Sequence, residues 1–367
     1  MTRGGVTFLS IDGFHSAVLR PIMDAIDDRL PVRLVTDVPS ALPFEAPVIV
    51  VPSHRQLERL RRRSPDSWLV NVRHGLVAKG GLDKLKDRPS ARRFDAVCFG
   101  DLASEERYRV HGAAPQEAWQ TGYSQMDPLF RRDARPELGF PPGMPVVLYA
   151  PTWNPGLSSA GLLGGRVMDL VSGGMRDVGL VIKPHPTIPR WQPDWWAAWQ
   201  ALSVADPLVH LADPLEDITP LMLASDVLLS DASSTIFEFL ALDRPIVVVT
   251  NPAATSDPDY DPADLPWSWR DVADDVTDIA GLPATIRGAI AHPEARSDRR
   301  RVYRDRLFGP FQDGRNAERI ADRLVDLVKR IELGSAPPAL RFELPPPSRW
   351  AVAHGEDDDE SAWSPAT

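Results

Sequence analysis

The sequence predicts an α/β protein built from two doubly wound lobes, and three observations carry that expectation. Short apolar runs of strand length alternate with segments of helical spacing; a stretch of charge, glycine and proline at residues 131–145 interrupts the alternation; and the alternation then resumes. At 367 residues the chain exceeds one small domain and suits two lobes, each with its own core.

Taken in order, the runs at residues 6–11, 32–35, 48–51, 68–72 and 96–99 are mainly apolar, as parallel strands covered on both faces are. Residues 16–28 and 54–63 between them have helical spacing, which makes strand–helix–strand units the default. The interruption holds two Gly/Pro clusters and no periodicity, so the lobe boundary is expected there. A second series follows at 146–150, 180–183, 209–211, 227–230 and 246–249. Residues 317–331 place Ile320, Leu324 and Leu327 on one helical face and are expected to close the second lobe. The expected domains are 1–135, 136–333 and a disordered tail at 334–367, which is proline-rich and carries the acidic run Glu356-Asp-Asp-Asp-Glu360.

Composition removes several classes of function. No run approaches the roughly 20 apolar residues of a membrane-spanning helix, and the start of the chain lacks the core and cleavage site of a signal peptide, so a cytoplasmic protein is expected. A single cysteine, Cys98, rules out an internal disulfide framework or cysteine metal site and is expected to be a buried bystander. The net charge of −10 argues against a nucleic-acid-coating protein. The cluster Arg59-Leu-Arg-Arg-Arg63 is the one candidate for peripheral contact with an anionic membrane, against the plainer reading of a solvated helix face.

In an open α/β sheet ligands bind beyond the carboxyl ends of the strands, so residues just after each run hold the chemistry. Four such turns stand out. After the run at 68–72, Arg73, His74, Lys79 and three glycines crowd together; His74 is suited to accept a proton from a hydroxyl, and Arg73 and Lys79 to bind an acceptor or another anion. The competing reading is a histidine that only hydrogen-bonds within a glycine-rich turn. After the run at 180–183, Lys183 and His185 are set between prolines that restrict the backbone, which suits groups that stabilise phosphate charge without reorganising; a proline-shaped turn with an exposed histidine is the alternative.

Third, the run at 227–230 leads into Asp231-Ala-Ser233-Ser234-Thr235 and a helix start, a candidate anion cradle. Thr235 and Glu238 also match a helix capping box, so Glu238 either caps or accepts hydrogen bonds from ribose hydroxyls. Fourth, Pro151-Thr152-Trp153 offers Thr152 for phosphate and Trp153 for a substrate wall, or simply a packed turn. No HExxH helix, Walker loop or Gly-x-Ser-x-Gly elbow occurs, and no metal site and no cofactor is expected beyond the donor itself.

In sequence order, His74-Gly75 with Lys79-Gly80, Gly122-Tyr123 through Asp127, Tyr149 through Trp153, Lys183 through Pro186, and Ser230 through Ser234 with Arg244-Pro245 resemble the successive motifs of CDP-glycerol glycerophosphotransferases, enzymes of teichoic-acid-type polymer synthesis. The chain departs from that pattern at Leu76-Val77, Ser124-Gln125, Lys183-Pro184 and Ala232. The resemblance implies two Rossmann-like lobes facing a cleft in a GT-B-like glycosyltransferase fold, with the nucleotide on the second lobe. It implies that His185, Ser233 and Ser234 meet the donor pyrophosphate, that His74 is the base on the acceptor hydroxyl, and that a glycerol phosphate unit passes from CDP-glycerol to a polymer or lipid-linked acceptor with release of CMP. The alternatives on the same fold are a nucleotide-sugar glycosyltransferase, a UDP-N-acetylglucosamine 2-epimerase-like enzyme, or a nucleotide-binding subunit without activity.

Overall fold

The structure is a computed structural model and describes residues 5–10, 15–36, 46–53, 57–73, 94–100, 104–105, 108 and 115–341. These fall into two compact units. The first holds the described residues up to Gln125 together with those from Arg315 onward, and the second holds Met126–Gly314.

The first unit is built on six parallel strands, β1 (Val6–Leu9), β2 (Val32–Val35), β3 (Val48–Val51), β4 (Trp68–Asn71), β5 (Ala96–Phe99) and β6 (Glu117–Gln120), in the order β2-β1-β3-β4-β5-β6. Every residue of β1, β3, β4 and β5 is buried, which is why those runs are apolar but for Thr7 and Asn71. Leu9, Ile49, Val51, Leu69, Val97 and Phe99 pack against Leu57, Leu60 and Phe94 as one core. Cys98 is buried, and that burial pushes its thiol up to about 12, which leaves it inert at neutral pH.

Of the arginines in the 59–63 cluster, Arg61 is turned inward. Its guanidinium lies 2.8 Å from Asp95, with side-chain exposures of 4% and 0%. Asp95 also accepts the N–H groups of Leu69 and Leu340, at 2.6 Å each. A buried charge must be paired and hydrogen-bonded to persist, and both conditions are met here. Arg61 therefore serves the fold and is not available to a lipid headgroup.

The second unit repeats the plan with β7 (Val146–Tyr149), β8 (Gly179–Ile182), β9 (Val209–Leu211), β10 (Val227–Ser230), β11 (Ile246–Val249) and β12 (Asp274–Val276), all parallel, ordered β12-β11-β10-β7-β8-β9. Val147, Tyr149, Leu180, Ile182, Leu229 and Val247 form the centre of its core. The Trp199 indole meets the Tyr149 ring edge-on at 6.0 Å. The segment at 132–145 has no regular structure, and Arg135 ties it to this unit through a bidentate pair with Asp226, at 2.7 and 2.9 Å.

Two features differ from the sequence reading. β6 and β12 lie at sheet edges, where one side of the strand needs no apolar cover, so Glu117-Ala-Trp-Gln120 and Asp274-Asp-Val276 carry no apolar run to announce them. The helix Asn316–Glu332, expected to close the second lobe, instead packs on the helix His15–Ile26 of the first unit. Ile320, Leu324 and Leu327 are buried there, and Arg330 makes a bidentate pair with Glu117 at 2.8 and 3.0 Å. An apolar stripe states that a helix buries one face, but not which sheet receives it. Ile320→Val is expected to destabilise by about 1 kcal/mol in urea unfolding; an unchanged midpoint would mean that this face is not packed.

The chain after that helix is docked as far as Arg341. Pro337 accepts from the Trp68 indole at 3.1 Å, and Ala339 is buried, so residues 334–341 run along the first unit rather than beginning a disordered tail. Residues 342–367, with Trp350 and Trp363, lie outside the described residues. Among the described residues no helix is long and apolar enough to cross a membrane.

Candidate functional site in the second unit

At the carboxyl ends of β7, β8 and β10 the second unit gathers the turns 150–153, 183–187 and 231–235. All three were singled out in the sequence, and the parallel order β10-β7-β8 brings their parent strands side by side.

His185 is half-buried, and its Nδ1 accepts the backbone N–H of Thr187 at 3.3 Å, with the Thr187 hydroxyl 2.8 Å away. With the Thr187 N–H donating to Nδ1, the neutral ring is assigned its proton on Nε2, from which it can be donated to a ligand, and the Thr187 hydroxyl then donates to Nδ1 as well. Trp153 stands beside it, with ring centroids 6.4 Å apart, and meets Trp191 edge-on at 5.1 Å, forming an aromatic wall.

Lys183 is 7% exposed, and its ammonium donates to the carbonyls of Pro184 at 3.0 Å and Pro214 at 2.8 Å. Burial lowers its pKa to about 8, against the opposing pull of Glu216, Asp213 and Asp217. Two of its three donors are thus committed to holding the 212–217 loop against the β8 exit, which leaves one for a ligand.

In the β10 turn, Ser233, Ser234 and Thr235 are half-buried in succession. Ser233 Oγ accepts the Thr235 N–H at 3.4 Å, and the Ser234 hydroxyl has no partner among the described residues. The following helix, Thr235–Phe239, is short and passes into a 3-10 turn. Its N-cap is Ser234 without a side-chain capping bond, so the capping-box reading of Thr235 and Glu238 does not hold. A helix this short has little macrodipole, and the anion-binding capacity of the turn rests on its hydroxyl and N–H groups.

Glu238 is 8% exposed, and its carboxyl makes no hydrogen bond with any described residue. Burial, with Asp217 adding like-charge repulsion, pushes its carboxyl up to about 7. Ionising the carboxyl there costs free energy, which a donor on a ligand would offset.

Sequence reasoning missed the residue that holds these turns together. Asp231 is 1% exposed and binds the 150–152 and 158–160 segments to its own turn, as detailed below. Its position after a strand was visible, but the number of donors converging on it is a tertiary property. Arg244, which belongs to the quoted motifs, proves structural: its Nη1 donates to the carbonyls of Met222, Leu223 and Ser225 and so ends the helix Ile218–Ala224.

In the first unit, Arg73 follows β4 with a left-handed φ of 55°, its N–H bonded to Asn71 Oδ1 at 2.8 Å and its guanidinium 5.5 Å over the Tyr108 ring. A non-glycine residue held there stores strain, a feature concentrated at functional turns. His74 and Lys79 lie outside the described residues.

Two Rossmann-like parallel α/β units, one of them with hydroxyls, a histidine and a buried carboxyl beyond its strand ends, give the chain a GT-B-like fold. The chain belongs to the CDP-glycerol:poly(glycerophosphate) glycerophosphotransferase family, whose profile matches residues 41–326, and it is thus a member of a transferase family. Among solved structures it is similar to the wall teichoic acid polymerase TagF, with 17% identity over 90% of each chain and a TM-score of 0.71. It is also similar to a putative UDP-N-acetylglucosamine 2-epimerase from Listeria monocytogenes, with 14% identity over 94% of this chain and all of that one (100%) and a TM-score of 0.58. The S. aureus MnaA-UDP co-structure follows at 11% identity, 93% and 100% coverage and a TM-score of 0.55. Such low identities establish likeness of fold alone. No curated protein sequence matches the chain significantly.

Proposed function

We propose that this protein transfers a glycerol phosphate unit from CDP-glycerol to a hydroxyl of a polymer or lipid-linked acceptor, releasing CMP. The observation that supports this most directly is the family match across residues 41–326, which spans every motif quoted above. The geometry of the second unit is consistent with it, since the donor needs groups for a pyrophosphate and a ribose.

In this reading the acceptor oxygen attacks the β-phosphorus, a new P–O bond forms, and the bond to the bridging oxygen breaks with its electron pair leaving on CMP. His74 takes the hydroxyl proton. His185 donates from Nε2 to the phosphate oxygens, whose charge grows toward the leaving group, with Ser233, Ser234, Thr152 and the remaining Lys183 donor beside it. Glu238 accepts from the ribose hydroxyls. Phosphoryl transfer of this kind needs positioning and charge stabilisation more than covalent chemistry, so these groups are proposed to suffice without a metal ion. The protein would work in the cytoplasm, where CDP-activated donors are made, with Arg73 and Lys79 facing the acceptor.

Thermal-shift measurement against CDP-glycerol, CDP, CMP, UDP and nucleotide sugars tests the donor. A ligand at 100 times its Kd stabilises by about 2.7 kcal/mol, and the largest shift is expected with CDP-glycerol, unaltered by EDTA. A preference for uridine compounds would overturn the donor assignment and move the function to glycosyl transfer or epimerisation on the same fold.

A further inference from the structure

Asp231 carries more hydrogen bonds than any ordinary turn residue requires. Its Oδ1 accepts the backbone N–H groups of Thr152 at 2.9 Å and Ala232 at 2.6 Å. Its Oδ2 accepts the Ser159 N–H at 2.8 Å, the Ser159 hydroxyl at 2.9 Å and the Ser158 hydroxyl at 3.3 Å. Its own carbonyl accepts from Arg270 Nη1 at 2.7 Å, and Arg270 is held in turn by Asp275 at 2.9 Å. The Tyr149 hydroxyl extends the network to Ser159 at 2.9 Å, and the Ser230 hydroxyl ties the neighbouring Ala150 carbonyl at 2.7 Å. One carboxylate thus joins three separate stretches of backbone: the β7 exit, the 158–160 turn and the β10 exit.

The charge of this group makes its position informative. A buried anion beneath a pyrophosphate site repels the ligand, so a neutral residue would serve binding better on electrostatic grounds. What a neutral side chain cannot do is accept this many bonds: an asparagine has a single acceptor oxygen, and its amide would face either two backbone N–H groups or the Ser159 N–H. The carboxylate is explained by the geometry it enforces, since its donors include the backbone of Thr152 and of Ala232, the residues that lead directly to the proposed phosphate contacts.

We propose that Asp231 is the positioning residue of the donor site, holding the Thr152 turn and the Ser233–Ser234 turn in fixed register so that both meet the pyrophosphate together. This rests on the reading of that site as the donor site. It acts through its neighbours and does not touch the ligand.

The test compares CDP with cytidine by ligand-detected NMR and calorimetry on wild type, Asp231→Asn and Ser159→Ala. A cradle set out of register should weaken CDP by about tenfold or more in Asp231→Asn and by about threefold in Ser159→Ala, which loses the hydroxyl's bonds to Asp231 and Tyr149 but keeps the backbone N–H bond to Asp231. Cytidine, which has no phosphate, should change less than about twofold in both. A merely structural role would weaken both ligands equally or neither, and either result overturns the proposal. If Asp231→Asn does not fold, Ser159→Ala carries the comparison alone. If wild type prefers uridine compounds, the donor reading fails, but UDP against uridine tests Asp231 by the same difference.

Discussion

Replacing His185 with alanine is expected to lower kcat by about 100-fold or more, the usual cost of removing one donor aimed at developing charge. The expectation comes from its tautomer: Nδ1 is occupied by the Thr187 N–H, so the ring faces the site as a donor at Nε2 and not as a base. That assignment separates it from His74, for which the resemblance implies proton abstraction. Glutamine at 185 offers an N–H at similar reach and should recover part of the loss, whereas glutamine at 74 cannot accept a proton and should recover none. The measurement is kcat and KM with CDP-glycerol for the alanine and glutamine pairs, with folding checked by thermal unfolding. Full turnover in folded His185→Ala would end its role in charge stabilisation. Rescue at 74 but not at 185 would exchange the two roles.

The parts of the fold that were legible in the sequence are those whose cause is local. Central strands such as Val48–Val51 and Val227–Ser230 are apolar because both faces are covered, and that pattern survives in one dimension. The edge strands Glu117–Gln120 and Asp274–Val276 have half the reason to be apolar and were missed, whereas Val32–Val35 and Val209–Leu211, also at edges, keep enough apolar residues to be read. The stripe of Ile320, Leu324 and Leu327 was read correctly as a helix face, but its partner, the helix His15–Ile26, is some 300 residues earlier in the chain, at a separation that periodicity does not encode.

The site divides in the same way. Strand exits, hydroxyl clusters and prolines are sequence features, so the turns carrying Thr152, His185 and Ser233 were found. What each side chain does there was less legible. Lys183 was read as a donor-binding cation, and most of its hydrogen-bonding capacity goes to two carbonyls. Asp231 was named within the β10 turn but given no role, because its donors come from the 150s as well as from its own turn. Convergence of distant backbone on one carboxylate leaves no local pattern.

Glu238→Gln is expected to make the unliganded protein more stable at pH 8 and a poorer binder of its donor. In the folded chain the Glu238 carboxyl ionises at about 7, against 4.5 as its ordinary value. Below 4.5 both folded and unfolded chains hold the proton, and the group is neutral toward stability. Between 4.5 and 7 the unfolded chain releases it and the folded chain does not, so stability falls as pH rises and the loss is complete above about 7. At about 1.4 kcal/mol per unit, the cost reaches about 3 kcal/mol at pH 8. Glutamine does not ionise, so the variant should gain up to that amount at pH 8 and nothing at pH 4, a crossover that urea titration at the two values would reveal. A protein tolerates such a cost where function needs the group. If the ribose hydroxyls donate to this carboxylate, losing its charge should weaken CDP-glycerol by about tenfold or more, and wild-type affinity should rise with pH through 7 while that of the variant stays level. Stabilisation without weakened binding would leave Glu238 as a buried acid unrelated to the donor. Weakened binding with no pH 8 gain would mean that the carboxyl is solvated in the free protein and meets the ribose only on binding.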